Sequence, residues 1–442
     1  MTPDVAATRE RKYRILVAGY AISSYGSFLN MVALNLYVYA ITDRALAVGV
    51  FMAVRLAAGF VAGLLAGTIL ARWSAKGTMF WVNLVQAAAL LLLITAPEGL
   101  RTAAVFAVSA VAGVTGTLFM VAFRGTVIPD VVEESRRTWA NSLMVSWRSM
   151  AMVAGFASSG VVVSLLGYTA AFLVDMATFL VCAATVALLP ASPRTTERAD
   201  DEKGSGDEKP KRRLPAAVIA VAAAPVLGLM VLLRGVDALG SSSHNAALPV
   251  YSTDLDTDSP AVFVSVFWCV WALGNVLVQQ VIQRYTKRTG RAVGALGFGI
   301  GTIAMSAGFI LAFAGFPWVV TVLVALVAGA ADGLTEVSYT SHLQGLPDAF
   351  RTHAFGLSAT VESLGFGVGM IAVGAALDVF SPLSVVAVAH GAAIAIAVVF
   401  VALVLRQRTG SEALSEHTSE RGNSGAGPAC GGHRDGAEVS GG

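Results

Sequence analysis

PASPRTTERADDEKGSGDEKPKRRLP, residues Pro190–Pro215, decides how the rest of the chain is read. It mixes both charge signs with proline and glycine and offers little to bury, so it reads as a tether and not as part of a packed core. The chain on either side is its opposite. Of the 442 residues, 56% are hydrophobic and 13% charged, against roughly 25% charged in a soluble domain. Apolar runs of about 20 residues, the length a helix needs to cross the bilayer hydrocarbon, occur six times before the tether and six times after it. The expectation is an all-α membrane protein with twelve transmembrane helices in two six-helix halves, at 15–189 and 216–405. A short N-terminal segment (1–14) and a disordered tail (406–442) flank them.

The first apolar run, Ile15–Ala40, is too long for the core of a signal peptide and no small-residue cleavage site follows it, so it reads as a retained helix. Twelve crossings put both ends of the chain on one side. Most of the 30 lysines and arginines lie in segments on that side, while the opposite loops hold only Arg44 and Arg101. The positive-inside rule therefore makes that side the cytoplasm, expected to be that of a bacterium. Three cysteines without CxxC or His/Cys spacing argue against a disulfide framework or a metal site. No GxxxxGK[ST] loop is present, so ATP hydrolysis is not expected. No nucleophile–base constellation points to an enzyme, no cofactor is implied, and a net charge of +2 gives no reason to expect nucleic acid as a partner.

The two halves echo each other. ARWSAK (Ala71–Lys76) after the second run is matched by QRYTKR (Gln283–Arg288) after the eighth, and Pro129-Asp130 after the fourth by Pro347-Asp348 after the tenth. Such echoes are the sign of a repeat-built transporter.

Seven ionisable residues lie deep in the apolar runs: Arg55, Asp175, Arg234, Asp237, Asp332, Glu336 and Glu362. Facing lipid they would cost on the order of 20 kcal/mol at roughly 3 kcal/mol each, more than the roughly 5–15 kcal/mol that holds a protein folded. They must face one another or a wet cavity. At about 100° per residue, Arg234, Asp237, Ser241, His244 and Asn245 share one face of the seventh run. Asp332, Thr335, Glu336 and Tyr339 share a face of the tenth, and Ser23, Ser27, Asn30 and Tyr37 one of the first. Three polar stripes suggest one shared cavity, which makes Arg55, Asn30, Arg234, Asp237, His244, Asp332, Glu336, Tyr339 and Glu362 the candidate substrate and proton pathway. Structural readings stand beside this. Arg234 and Asp237, at i and i+3, can neutralise each other. Glu362 precedes Gly365 and Gly369 and can belong to a tight helix contact. Asp175 stands alone on its helix, and His390 reads as a packing residue. Asp332 and Glu336, like charges one turn apart, resist a purely structural reading and suit proton coupling.

These residues carry a resemblance. AITDRALAVGVFMAVRLAAGFVAGLLAG (Ala40–Gly67), VIPDVVEESRRTWANSL (Val127–Leu143), GYTAAFLVDMATFL (Gly167–Leu180) and LQGLPDAFRTHAFGL (Leu343–Leu357) are similar to the major facilitator superfamily. Within it they resemble the macrolide-efflux and enterobactin-exporter branch. The resemblance implies the major facilitator fold, two domains rocking about a central cavity, and export of amphipathic small molecules in exchange for protons. It gives Gly67, Arg72, Arg124, Asp130 and Asp175 structural or gating roles. Two departures stand out: Ala71 replaces the aspartate of the family's Gly-x-x-x-Asp-Arg loop, and GFASSG (Gly155–Gly160) replaces the Gly-Pro-x-x-Gly-Gly of drug antiporters.

The leading expectation is a monomeric, proton-coupled exporter of a small amphipathic or drug-like compound in the bacterial cytoplasmic membrane. An importer or uniporter of a polar solute is the alternative within transport; a non-transporting receptor or scaffold is the alternative outside it.

Overall fold

The structure, a computed structural model, describes residues 3–124, 136–189, 225–290 and 293–423. The linker at 190–215 and the Pro129-Asp130 step, including the candidate gating residue Asp130, lie outside the described residues. The described chain is helical: α1 (Pro3–Thr42), α2 (Ala45–Arg72), α3 (Ala75–Thr95) and α4 (Arg101–Ala122), followed by one hydrogen-bonded run, Arg137–Ala187. Inside that run Gly167 has φ 80° and ψ 172°, a left-handed conformation that glycine adopts without a Cβ clash. The chain bends there, and the arms 137–166 and 168–187 are α5 and α6. The second half holds α7 (Pro225–Leu255), α8 (Pro260–Thr289), α9 (Ala295–Ala312), α10 (Trp318–Gln344), α11 (Asp348–Leu377) and α12 (Pro382–Asn423).

Eleven of the described helices are long and apolar enough to cross a bilayer, and the longest, Trp139–Ala187, contains both α5 and α6. The expected twelve crossings are thus present. Peripheral side chains such as Leu92, Leu180, Ile300 and Val388 point outward, as lipid requires, and the helices satisfy their own backbone hydrogen bonds.

Two boundaries differ from the sequence reading. α1 begins at Pro3, well before Ile15, because proline suits the first helical position and alanine, arginine, glutamate and lysine follow it. α12 runs past Leu405 to Asn423, where a disordered tail was expected. Extending an existing helix needs no new nucleus, so a polar but helix-favouring stretch continues it.

Within each half, α1 packs on the α5/α6 arm as α7 packs on α11 and α12, and α2 packs on α4 as α8 packs on α10. The halves meet where α2 touches α11 and where the α5/α6 arm touches α8. Apolar packing shows the resulting shape. One core takes Leu36, Phe51 and Phe156 from the first half together with Leu248, Trp268 and Met370 from the second. A second core, around Tyr13, Phe123, Met144 and Leu189, belongs to the first half alone. A third, around Leu227, Phe298, Leu343 and Phe400, belongs to the second half alone. Leu189 and Leu227 mark the end of the bundle where α6 stops and α7 starts, called here the linker end. The halves are therefore joined at the opposite end and apart at the linker end, and the space between them opens there.

Candidate functional site

The densest charge lies in the second half. Arg234 of α7 donates through Nη2 to Glu336 Oε2 of α10 at 2.6 Å and to Glu362 Oε1 of α11 at 3.0 Å. Its Nη1 stands 3.7 Å from Asp237 Oδ2, the longest of the three contacts, so Arg234 ties three helices together and is not merely neutralised along its own. The side chains of Glu336 and Glu362 are 51% and 43% exposed, that of Arg234 only 12%; the carboxylates face the opening and the guanidinium lies behind them. Asp237 is buried, and its Oδ1 has no hydrogen-bond partner. Asp332 is turned away from Glu336 and accepts from Asn275 Nδ2 of α8 at 3.0 Å, and Asn275 accepts in turn from Gln279. The two like charges on α10 thus have separate partners. Arg234 stands 5.5 Å over the Tyr339 ring, and the Tyr339 hydroxyl donates to Ser358 at 2.6 Å. One guanidinium accompanies four carboxyl groups. Glu336 and Glu362 are half-exposed, so the imbalance bears most on the buried Asp237, which calls for a proton or a cationic partner. Gly365 and Gly369, the small residues after Glu362, lie against Gly235 and Ser242 of α7 and bring α11 close enough for the ion pair.

The first half holds a separate and smaller centre. Asn30 of α1 donates to Asp175 Oδ2 of α6 at 2.7 Å, and Thr178 also reaches that carboxylate. Asn30, Ser27, Arg55, Gln86 and Asp175 line a cavity among α1, α2, α3, α4 and α6. The single shared cavity expected from three stripes is therefore corrected: the α7 and α10 stripes meet, whereas that of α1 faces the interior of its own bundle, because α1 packs on α6 through its polar side. His244 is similarly placed apart from Arg234. It bonds His390 of α12 at 3.1 Å, lies flat on Phe309 with centroids 3.5 Å apart, and is buried.

The two halves can be placed in register from their own contacts. A Cβ at Gly113 would collide with the Arg55 carbonyl, and one at Gly329 with the Trp271 carbonyl, so α2/α4 and α8/α10 cross at matching points. The buried pairs Asn30–Asp175 and His244–His390 join the first and last helices of each half, with Gly26 and Gly240 one turn earlier against the partner helix. In this register Tyr20 stands where Arg234 does and Met120 where Glu336 does. The Tyr20 hydroxyl does meet the Met120 sulfur at 3.5 Å, and the Tyr20 ring lies 5.4 Å from Phe123 as Arg234 lies over Tyr339. Ser23 corresponds to Asp237, Gly59 to Asn275 and Gly116 to Asp332. The first half thus has neutral residues at these positions of α1, α2 and α4, while on α5 Gly155 matches Gly369 and sets Arg148 where Glu362 stands.

Of the candidate gating residues, Arg72 ends α2, where a cation suits the helix C-terminus. Gly67 faces open space and Arg124 is exposed at the end of α4. Lys76 donates to the carbonyls of Ala187 and Leu189, capping the end of α6. Three residues were passed over by the sequence reading. Asp378, just past α11, accepts from the backbone N–H of Ala45 at 2.9 Å and of Leu46 at 3.4 Å, capping α2 across the half boundary. Beside it in function, Ser265 donates to the Phe156 carbonyl at 2.5 Å, and Phe156 stacks on Trp268. Arg148, exposed on α5, stands 5.1 Å over the Phe28 ring of α1; its place a few residues into the fifth apolar run was the available signal.

The sequence matches the Major Facilitator Superfamily over residues 16–361, and the chain belongs to that family. It is a multi-pass membrane transporter of the major facilitator type. Solved structures agree at the level of the fold. The nucleoside transporter NupG aligns with a TM-score of 0.66 at 14% identity, covering 89% of this chain and 99% of that one. A POT family transporter in complex with a thioalcohol-conjugated peptide gives 0.66 at 11%, covering 90% and 96%. A bacterial homologue of the iron transporter ferroportin, in an inward-facing state, gives 0.64 at 13%, covering 88% and 98%. No curated protein matches the sequence significantly.

Proposed function

We propose that this transporter is a proton-coupled exporter of small amphipathic or drug-like compounds, similar to the macrolide-efflux and enterobactin-exporter branch. In this reading it acts as a monomer in a bacterial cytoplasmic membrane, with the linker end in the cytoplasm. The orientation rests on the basic residues gathered at that end. The observation that carries the function is Arg234, held by Glu336 and Glu362 at the mouth of the space between the halves.

The chemistry follows from that geometry. With both glutamates ionised, the guanidinium is drawn toward the opening. A proton on either removes one charge-assisted bond and leaves Arg234 free to turn toward Asp237, whose Oδ1 is unpartnered. A substrate entering from the linker end meets the ionised glutamates; a proton entering from the other side meets the same oxygens. Competition for one set of carboxylates links the two fluxes without ATP. Neutralising the carboxylates also lowers the cost of enclosing them when the halves rock together.

The test is proton movement in proteoliposomes containing a pH-sensitive dye, with a panel of lipophilic compounds and polar metabolites added in turn. Export coupled to protons gives an alkaline or acid transient when an amphipathic compound is added, and none in empty vesicles. Compound flux with no proton signal would replace this reading with facilitated transport of a solute, which the polar character of the site favours as the second reading.

A further inference from the structure

A second cavity lies at the end opposite the linker, between the α7–α8 connection and the α9–α10 turn. Its volume is about 320 Å³, and its lining includes Tyr251, Asp256, Phe263, Phe316, Trp318 and Thr321. That volume is at the lower end of the range for small-molecule sites, roughly 300–1,000 Å³. The aromatic rings stand as walls at angles to one another: Tyr251 and Phe263 have centroids 5.5 Å apart at 71°, and Phe263 and Trp318 5.8 Å apart at 59°. Asp256 uses Oδ1 to accept the backbone N–H groups of Asp258 and Ser259, both at 3.0 Å, which fixes its carboxylate at the mouth of the cavity.

Within the second half the charge at this end is of one sign. Residues 246–283 and 293–350 contain no lysine or arginine, while the α7–α8 connection carries Asp254, Asp256 and Asp258. Among the described residues no cation pairs with any of these three. Nor does the fold itself require the lining. In the register of the two halves, Tyr37 matches Tyr251, but Phe263, Phe316 and Trp318 correspond to Ala47, Leu100 and Thr102, and Tyr37 is occupied by Tyr168 and Phe172. The second half therefore carries aromatic rings where the equivalent scaffold does without them. Trp318 and Phe316 remain 47% and 44% exposed at the rim.

Aromatic rings around a concave, half-open space attract a cation through their quadrupoles, most of all a weakly hydrated alkylated ammonium, and a nearby carboxylate adds to the attraction. We propose that this cavity binds an organic ammonium group. Its source is either a soluble amine on that side of the membrane or the amine headgroup of a lipid, since the rim lies where aromatic side chains meet the bilayer interface. The site is independent of the Arg234 centre and of proton coupling.

The probe is choline, compared with its neutral carbon isostere dimethylbutanol, binding to the full chain in nanodiscs of phosphatidylglycerol alone. Choline is expected to bind, and dimethylbutanol to compete at least about tenfold less well. Trp318→Leu removes the ring and keeps an apolar wall; Asp256→Asn removes the charge and keeps an oxygen for the two N–H groups. Each is expected to weaken choline binding by about tenfold without changing the melting temperature, while Glu336→Gln leaves it unchanged. Discs containing phosphatidylethanolamine separate the sources: lost choline binding identifies the lipid headgroup as occupant, and retained binding identifies soluble amines. Absent choline binding, equal competition by dimethylbutanol, or full binding in both Trp318→Leu and Asp256→Asn overturns the proposal.

Discussion

Tyr20 with Met120 in the first half, and Arg234 with Glu336 in the second, occupy the same positions of a repeated scaffold, yet one is a 3.5 Å contact between neutral groups and the other a 2.6 Å ion pair. The neutral version shows what packing alone requires at those positions. A hydroxyl against a thioether links α1 to α4 there. The four carboxyl groups and one guanidinium of the second half exceed that requirement and carry the desolvation cost of intramembrane charge. The difference between the halves therefore marks the charged residues of α7, α10 and α11 as more than packing requires, which is the basis of the coupling proposed for them.

The comparison is broken most violently by Arg234→Met. It leaves Glu336, Glu362 and Asp237 without their counter-charge, and the loss of one partner from a buried ionic cluster costs about 3–5 kcal/mol. Thermal unfolding in detergent should show the drop, and vesicle transport should vanish. A sharper cut transplants part of the first half's solution: Arg234→Tyr, Asp237→Ser and Glu336→Met together, which leaves the half-exposed Glu362 to solvent and Asp332 to Asn275. Replacing buried charges by packed neutral groups is often neutral or stabilising, so this protein should melt within about 1–2 kcal/mol of the original and yet fail to couple protons. Equal destabilisation by the single and triple changes would mean the charges serve packing after all.

Smaller effects are expected at the contact between halves. Asp378→Ala removes two bonds that cap α2 across the boundary, a loss of about 1 kcal/mol. That should shift the balance between the two openings by about fivefold, away from the form joined at the end opposite the linker. Spin labels at positions 76 and 287 would report it as a shorter distance population. Smallest of all, His390→Asn trades one hydrogen-bonding side chain for another beside His244 and Ser306. It should cost no more than about 1 kcal/mol and leave transport intact, because the His244–His390 pair matches the bundle-holding Asn30–Asp175 pair.

Much of the fold is legible in the residue string because lipid imposes length and apolarity on every crossing. The six long apolar runs on each side of 190–215 follow from that. The charged centre is partly legible: Arg234, Asp237, Asp332, Glu336 and Glu362 stand out because charge in an apolar run is costly. Which residues meet is not. Asn30 and Ser27 share a face, but helical periodicity does not say whether that face meets α6 or the space between the halves. Asp378 lies at a loop edge, where an acid is unexceptional, and its cap on α2 depends on a contact over 300 residues away in the chain. The helical extension of α12 depends on propagation from a preceding helix and not on any apolar signal.

The central claim is that coupling resides in the second half and not in the first. The direct measurement is substrate-driven proton flux in proteoliposomes for Glu336→Gln with Glu362→Gln, set beside Asp175→Asn. The paired glutamine protein is expected to lose the proton signal and to bind substrate more weakly and without pH dependence, and the Asp175→Asn protein to keep both. Proton flux retained without the glutamates, or lost with Asp175→Asn alone, would contradict it and move the coupling site into the first half.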